Sequence, residues 1–112
     1  MITRIPTHPG DFIKQVYLEP LELRAVEVAE ALDVNPGTFS RLLNCNAALS
    51  PDMALKLSKV LGRTPESWMQ MQTNHTLAVA KQAKSNRAWK PKKHLIEGAF
   101  VDVKHKAKKV AA

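Results

Sequence analysis

Cysteine is almost absent from this chain of 112 residues. The single one, Cys45, has no partner for an internal disulfide and no second thiol with which to build a thiolate metal site. The four histidines, His8, His75, His94 and His105, are scattered without ligand spacing, so no metal is expected. Long apolar runs are also missing, and with them any segment able to span a bilayer, so no membrane partner is expected. The opening MITRIPTHPG lacks the apolar core of a secretory signal, which makes the cytoplasm the expected compartment. No glycine-rich phosphate loop, no Ser/His/Asp set and no Cys/His set occurs, and Cys45 has no basic neighbour in sequence to activate it. An enzyme and a bound cofactor are therefore not expected.

What is present begins with charge. The formal net charge is +7, and it is not evenly spread. Residues 1–83 carry eight Lys/Arg and eight Asp/Glu, whereas residues 84–112 carry nine Lys/Arg against Glu97 and Asp102. A basic excess invites nucleic acid as partner, but here it lies in the tail, where a solvated, solubilising role explains it equally well. The length allows one domain, placed at residues 6–83, followed by a basic extension over residues 84–112.

Helix starts are marked by proline at the first helical position after a residue able to cap, because proline lacks an N–H that would go unpaired there. Asn35-Pro36, Ser50-Pro51 and Thr64-Pro65 follow this rule, and His8-Pro9 is a weaker relative. Five helices follow, over about Gly10–Leu18, Arg24–Leu32, Pro36–Leu43, Pro51–Leu61 and Pro65–Ala83. Helical spacing assigns core faces to Phe12, Ile13 and Val16, then to Val28, Ala29 and Leu32, and then to Phe39, Leu42 and Leu43. The fourth helix offers Met53, Ala54, Leu57, Val60 and Leu61. The fifth offers Trp68, Met69, Met71, Gln72, Leu77, Ala78 and Val79, with Trp68 as a core anchor rather than a ligand-stacking ring. After Lys81 the pattern fails. SNRAWKPKKH reads as a linker, and HLIEGAFVDVKH as a short strand or helical turn with Ile96, Phe100, Val101 and Val103 as its apolar members. Lys104–Ala112 reads as frayed.

The most informative stretch is VEVAEALDVNPGTFSRLLN, residues 26–44. Two short helices share a small core across the break at Asp33-Val34-Asn35, with Ala29 at their close approach and Val34 plugging the turn. This pattern is a helix-turn-helix, whose second helix is commonly the one that enters a DNA major groove.

Two further segments, HPGDFIKQVYLEPLEL and LSPDMALKLSKVLGRTPESWMQMQ, flank its VAEALDVNPGTFSRLLN. Together, from Pro6 to Val79, they resemble the HigA family of antitoxins, also described as virulence-associated protein I-like. The resemblance implies an all-α, five-helix Cro/C1-type (lambda repressor-like) DNA-binding domain with a basic C-terminal extension. It implies a homodimeric transcriptional repressor that binds double-stranded DNA at a palindromic operator, represses its own operon and pairs with a RelE-like mRNA-cleaving toxin. Carried over residue by residue, the DNA-reading positions are Asn35, Pro36, Gly37, Thr38, Ser40, Arg41 and Asn44.

Physical chemistry supports several of these. Backbone N–H groups at Asn35-Pro36-Gly37-Thr38 suit a phosphate oxygen at a helix N-terminus. Arg41 suits a bidentate contact to guanine, and Ser40 and Asn44 suit base edges or phosphates. The plainer alternatives are that Asn35 only caps, Thr38 satisfies itself locally, and Arg41 is a solvated cation. The chain also departs from the family. Arg24-Ala25 stand where relatives commonly show Ser or Thr and then Gln, although Arg24 can itself reach a phosphate. Asp33 replaces a frequent turn glycine, which aspartate tolerates. Asn44-Cys45-Asn46-Ala47-Ala48 is neutral where relatives often show glycine followed by basic residues, and Cys45 reads as a loop residue standing in for that glycine. Phosphate neutralisation supplies much of the affinity of such proteins, so the core is expected to bind DNA weakly unless Arg24, Arg41 and the tail compensate. The alternative is a solitary regulator or partner-binding protein that keeps the fold with weak or no operator binding.

Overall fold

A computed structural model describes residues 5–96, and helices are the only regular secondary structure among them. Helix α1 spans Pro9–Ile13 and continues as a π-helical segment, Lys14–Leu18. Then follow α2 (Ala25–Leu32), α3 (Pro36–Leu43), α4 (Pro51–Val60), α5 (Pro65–Gln82) and a short α6 (Lys84–Ala88). The sequence-based boundaries hold closely for α2 to α5. Helix α6 is a correction: residues read as linker make one helical turn, after Ala83 breaks out of α5 with extended backbone. The expected apolar residues Phe100, Val101 and Val103, and the frayed Lys104–Ala112, lie outside the described residues.

The Pro-led starts share one mechanism. Proline occupies the first turn, and the preceding side chain accepts an N–H that the helix leaves open. Asn35 Oδ1 accepts from Gly37 N–H at 2.7 Å, Ser50 Oγ from Met53 N–H at 3.1 Å, and Thr64 Oγ1 from Ser67 N–H at 3.0 Å. His8 does the same through Nδ1, 2.9 Å from Gly10 N, so the weaker sequence signal is a full cap.

The core contains Ile13, Val28, Ala29, Leu32, Phe39, Leu42, Leu43, Met53, Ala54, Leu57 and Trp68, together with Leu49 from the α3–α4 loop. Trp68 is fully buried, and its indole N–H donates to the Gly62 carbonyl at 2.9 Å. Val34 packs half-buried against this core from the turn.

Four residues expected in the core are instead exposed. Val16 is 43% exposed because the helix widens after Ile13. Glu19 N–H bonds Lys14 C=O and Leu23 N–H bonds Leu18 C=O, five residues back, and the added residue rotates Tyr17 and Leu18 onto the core instead. Val60 is exposed at the end of α4, where Leu57 and Leu61 cover the core. Leu77 and Val79 are exposed because α5 outruns the bundle: Gln72 is its last buried residue, ten short of its end.

Buried Gln72 ties the long helix to the loop after α3. Its Oε1 accepts from Leu49 N–H at 2.8 Å, and its amide donates to Thr76 Oγ1 at 3.0 Å. A buried amide with both ends used in this way fixes the α3–α4 loop against α5.

Candidate nucleic-acid interface

Helices α2 and α3 pack across a turn whose geometry rests on Asp33. This residue closes α2 in the left-handed conformation (φ 58°, ψ 48°), and Val34 N–H reaches back to Ala29 C=O at 3.0 Å. Aspartate thus performs the backbone role expected of glycine. Lys56 of α4 lies across the same turn, its Nζ 3.3 Å from the Asp33 carbonyl oxygen. A cation at the C-terminal carbonyls of α2 is favoured by the helix dipole. Sequence reading misses Lys56, because no spacing rule links residues 33 and 56.

On α3, Phe39, Leu42 and Leu43 are buried while Gly37, Thr38, Ser40, Arg41 and Asn44 are exposed. Gly37 lies three and four residues before Ser40 and Arg41, and Asn44 four and three after them, so the four share an outward face. Asn44 Nδ2 lies 3.4 Å from Ser40 Oγ along it, a long hydrogen bond that a base edge can replace. Arg41 stands at the centre of this face, with no ion-pair partner among the described residues.

The start of α3 offers less to a phosphate than the sequence suggests. Pro36 has no N–H, and Gly37 N–H is already taken by the Asn35 cap. The Thr38 N–H is the first left for an oxygen atom outside the helix. Arg24 precedes α2 as its N-cap residue and is not free either. Its backbone N–H donates to Glu27 Oε1 at 2.9 Å, and its Nε lies 3.9 Å from the same oxygen, with the side chain 75% exposed. Being exposed, the guanidinium can exchange Glu27 for a phosphate at small cost.

Helix α3 ends on Cys45, also left-handed (φ 62°), with Asn46 N–H bonding Arg41 C=O at 2.8 Å. Cys45 therefore occupies the position where a helix terminus favours glycine. Local desolvation, and then Asp11 beside it, push its thiol pKa up, which disfavours the reactive thiolate. The loop that follows is neutral through Ala48, as read from the sequence.

Against this loop lies a groove of about 280 Å³ between His8, Cys45–Ala48 and the α5 residues Gln72, His75, Thr76 and Val79. The His8 and His75 rings meet edge to face with centroids 5.0 Å apart, and His75 Nδ1 donates to the Pro6 carbonyl at 2.8 Å. Both groups serve the architecture. Burial lowers the His8 pKa, with His75 pushing the same way, while Asp11 and a hydrogen bond to the Ala47 backbone oppose the shift. Among the described residues no group of His, Cys, Asp and Glu could hold a metal ion, and no helix is long and apolar enough to cross a membrane.

No family model matches the chain. It is similar to an uncharacterised HTH-type transcriptional regulator of Haemophilus influenzae, with 41% identity over 73 residues, covering 65% of this chain and 68% of that protein. Virulence-associated protein I of Dichelobacter nodosus is 34% identical over 79 residues, covering 70% of this chain and 73% of its own length. Among solved structures, antitoxin GraA in complex with its operator superimposes with a TM-score of 0.74 at 30% identity, over 86% of this chain and 97% of that one.

Proposed function

The chain belongs to the helix-turn-helix family that includes virulence-associated protein I and the HigA antitoxins, and on that premise we propose that it is a sequence-specific DNA-binding repressor. Relatives of this family are transcriptional regulators and antitoxins, and the chain is not an enzyme. The observation that carries the proposal is the outward face of α3. Gly37, Ser40, Arg41 and Asn44 stand in line on an eight-residue helix whose opposite face is fully committed to the core. Two such helices in a homodimer read the half-sites of a palindromic operator, one in each major groove. Arg41 reads a base, Ser40 and Asn44 reach base edges or phosphates, and Thr38 N–H and Arg24 hold the backbone. Asn35, Pro36 and Gly37 set the start of the reading helix and its angle.

The proposal extends to repression of its own operon and to a RelE-like mRNA-cleaving toxin as partner, both supported by family resemblance. The test is a mobility shift on DNA upstream of its own gene, with Arg41→Ala beside the wild type. Loss of preference over scrambled DNA in the variant is the expected result. Unchanged preference removes α3 as the reader. Co-purification of a small nuclease encoded beside the gene tests the toxin.

A second reading is favoured by the neutral Asn44–Ala48 loop and by the pairing of Arg24 with Glu27. In it the chain is a solitary regulator or partner-binding protein with weak operator affinity. Operator and scrambled DNA bound equally by the wild type would select it.

A further inference from the structure

Among the described residues, the strongest charge concentration lies outside the reading helix. Lys84, Arg87, Lys90, Lys92 and Lys93 fall within ten residues, with no acidic residue among them, and all are exposed. None has an ion-pair partner among the described residues, and Trp89, 69% exposed, sits in their midst. The location of this run follows from the fold. Thr76 and Val79 of α5 line the groove against Cys45–Ala48, so the long helix passes beside the neutral loop behind α3. Lys81 comes about 3 Å further along the axis, and α6 begins just beyond the end of α5 at Gln82. Having passed the neutral loop, α5 thus leads within a few residues into a strongly basic element.

We propose that α6 and the residues after it up to Lys93 form a second DNA contact, a phosphate clamp that grips the duplex backbone without reading sequence. This rests on the reading of α3 as a DNA-binding helix, and it assigns a distinct task to a different segment. Residues 1–83 carry no net charge, so α3 can supply orientation and base discrimination but little of the counterion release that drives association. The five cations of this run act on phosphates over roughly one Debye length, about 10 Å at moderate salt. Trp89 among them lies against the backbone or the groove edge when DNA is bound, which makes it a reporter of the clamp.

The test compares the full chain with a variant carrying Lys84→Gln, Arg87→Gln, Lys90→Gln, Lys92→Gln and Lys93→Gln. These side chains are exposed, and an unchanged circular dichroism spectrum and melting temperature check that the variant is folded. Affinity for the operator and for a random duplex of equal length is measured across salt concentrations. The expected result is a shallower salt dependence on both DNAs, by about 0.9 in log–log slope for each phosphate that is no longer neutralised and up to about 4.5 for five. The ratio of operator to random affinity stays unchanged. Quenching of fluorescence by DNA in the wild type, reduced in Trp89→Phe, is the second expected result. Unchanged slopes overturn the clamp and leave the function of α3 intact. Equal binding of operator and random DNA by the wild type, lost in the five-site variant, overturns sequence reading and keeps the clamp. Absence of any DNA binding by the wild type overturns both. Loss of binding to phosphatidylserine vesicles with DNA affinity unchanged overturns the clamp in favour of a membrane surface.

Discussion

Gly10 lies directly against the backbone of Leu42, so that a methyl group at position 10 would fall on the Leu42 carbonyl oxygen. The start of α1 therefore rests on the last turn of the reading helix with no side chain between them. Gly10→Ala is expected to destabilise the protein by about 1–3 kcal/mol, an overpacking cost. This outweighs the roughly 1 kcal/mol that alanine gains over glycine inside a helix. Urea unfolding measures the difference. An unchanged midpoint would mean that α1 can shift off α3 without cost.

His8 makes stability depend on pH. Its Nδ1 accepts from Gly10 N–H, so a proton there breaks the cap, and its pKa in the folded protein lies below the ordinary 6.5. The unfolded chain therefore takes up the proton first as pH falls. The contribution of His8 is complete above about pH 6.5 and is lost progressively below it, until the folded pKa is passed. His8→Asn keeps a capping oxygen and removes the titration. Its unfolding free energy should lose part of the wild-type decline between pH 7 and pH 5, and an identical decline in both proteins would acquit His8.

Cys45→Gly should stabilise the fold by about 1 kcal/mol, because the left-handed backbone at φ 62° costs an L-residue about that much. The wild-type thiol, with its pKa raised, should react with iodoacetamide near neutral pH more slowly than a free cysteine. Faster alkylation than the free amino acid would contradict the environment described.

Gln72→Leu leaves the buried Leu49 N–H without its acceptor, and a loss of about 1–3 kcal/mol is expected. Gln72→Glu, which keeps an acceptor oxygen, should lose less near neutral pH. Hydrogen exchange at Leu49 provides the local readout, and protection unchanged in the leucine variant would show that another group serves this N–H.

Arg41→Ala should leave stability within about 0.5 kcal/mol, since the side chain is exposed. Discrimination for the operator should fall by about 1–3 kcal/mol, the worth of one bidentate base contact. Asn35→Ala separates the two roles, costing about 1 kcal/mol of stability through the missing cap.

Much of the candidate site is legible in the residue order. The outward face of α3 follows from the spacing of Phe39, Leu42 and Leu43, because burying those three forces Ser40, Arg41 and Asn44 outward. Asp33 and Cys45 stand in sequence where glycine is frequent, and both adopt positive φ. The phosphate-binding value of the α3 start is overestimated by sequence. Asn35 takes up Gly37 N–H, and residue order does not say whether a cap side chain or a ligand wins that donor. Arg24 reads as unpaired, but Glu27, one turn on, lies within ion-pair distance of its exposed guanidinium.

Residue order alone sets the helices, their starts and most core faces, since caps, proline at the first turn and helical periodicity act within four or five residues. It also locates the charge, because counting needs no geometry. Which residues meet across the chain is a matter for the packed fold: Gly10 on Leu42, Gln72 on the Leu49 N–H, Lys56 on the Asp33 carbonyl. Packing also puts Tyr17 and Leu18 on the core in place of Val16, by one extra residue in a helical turn, and carries α5 past the neutral loop. Contacts between residues more than twenty positions apart depend on how whole helices pack, and packing answers to shape and volume that no local pattern encodes.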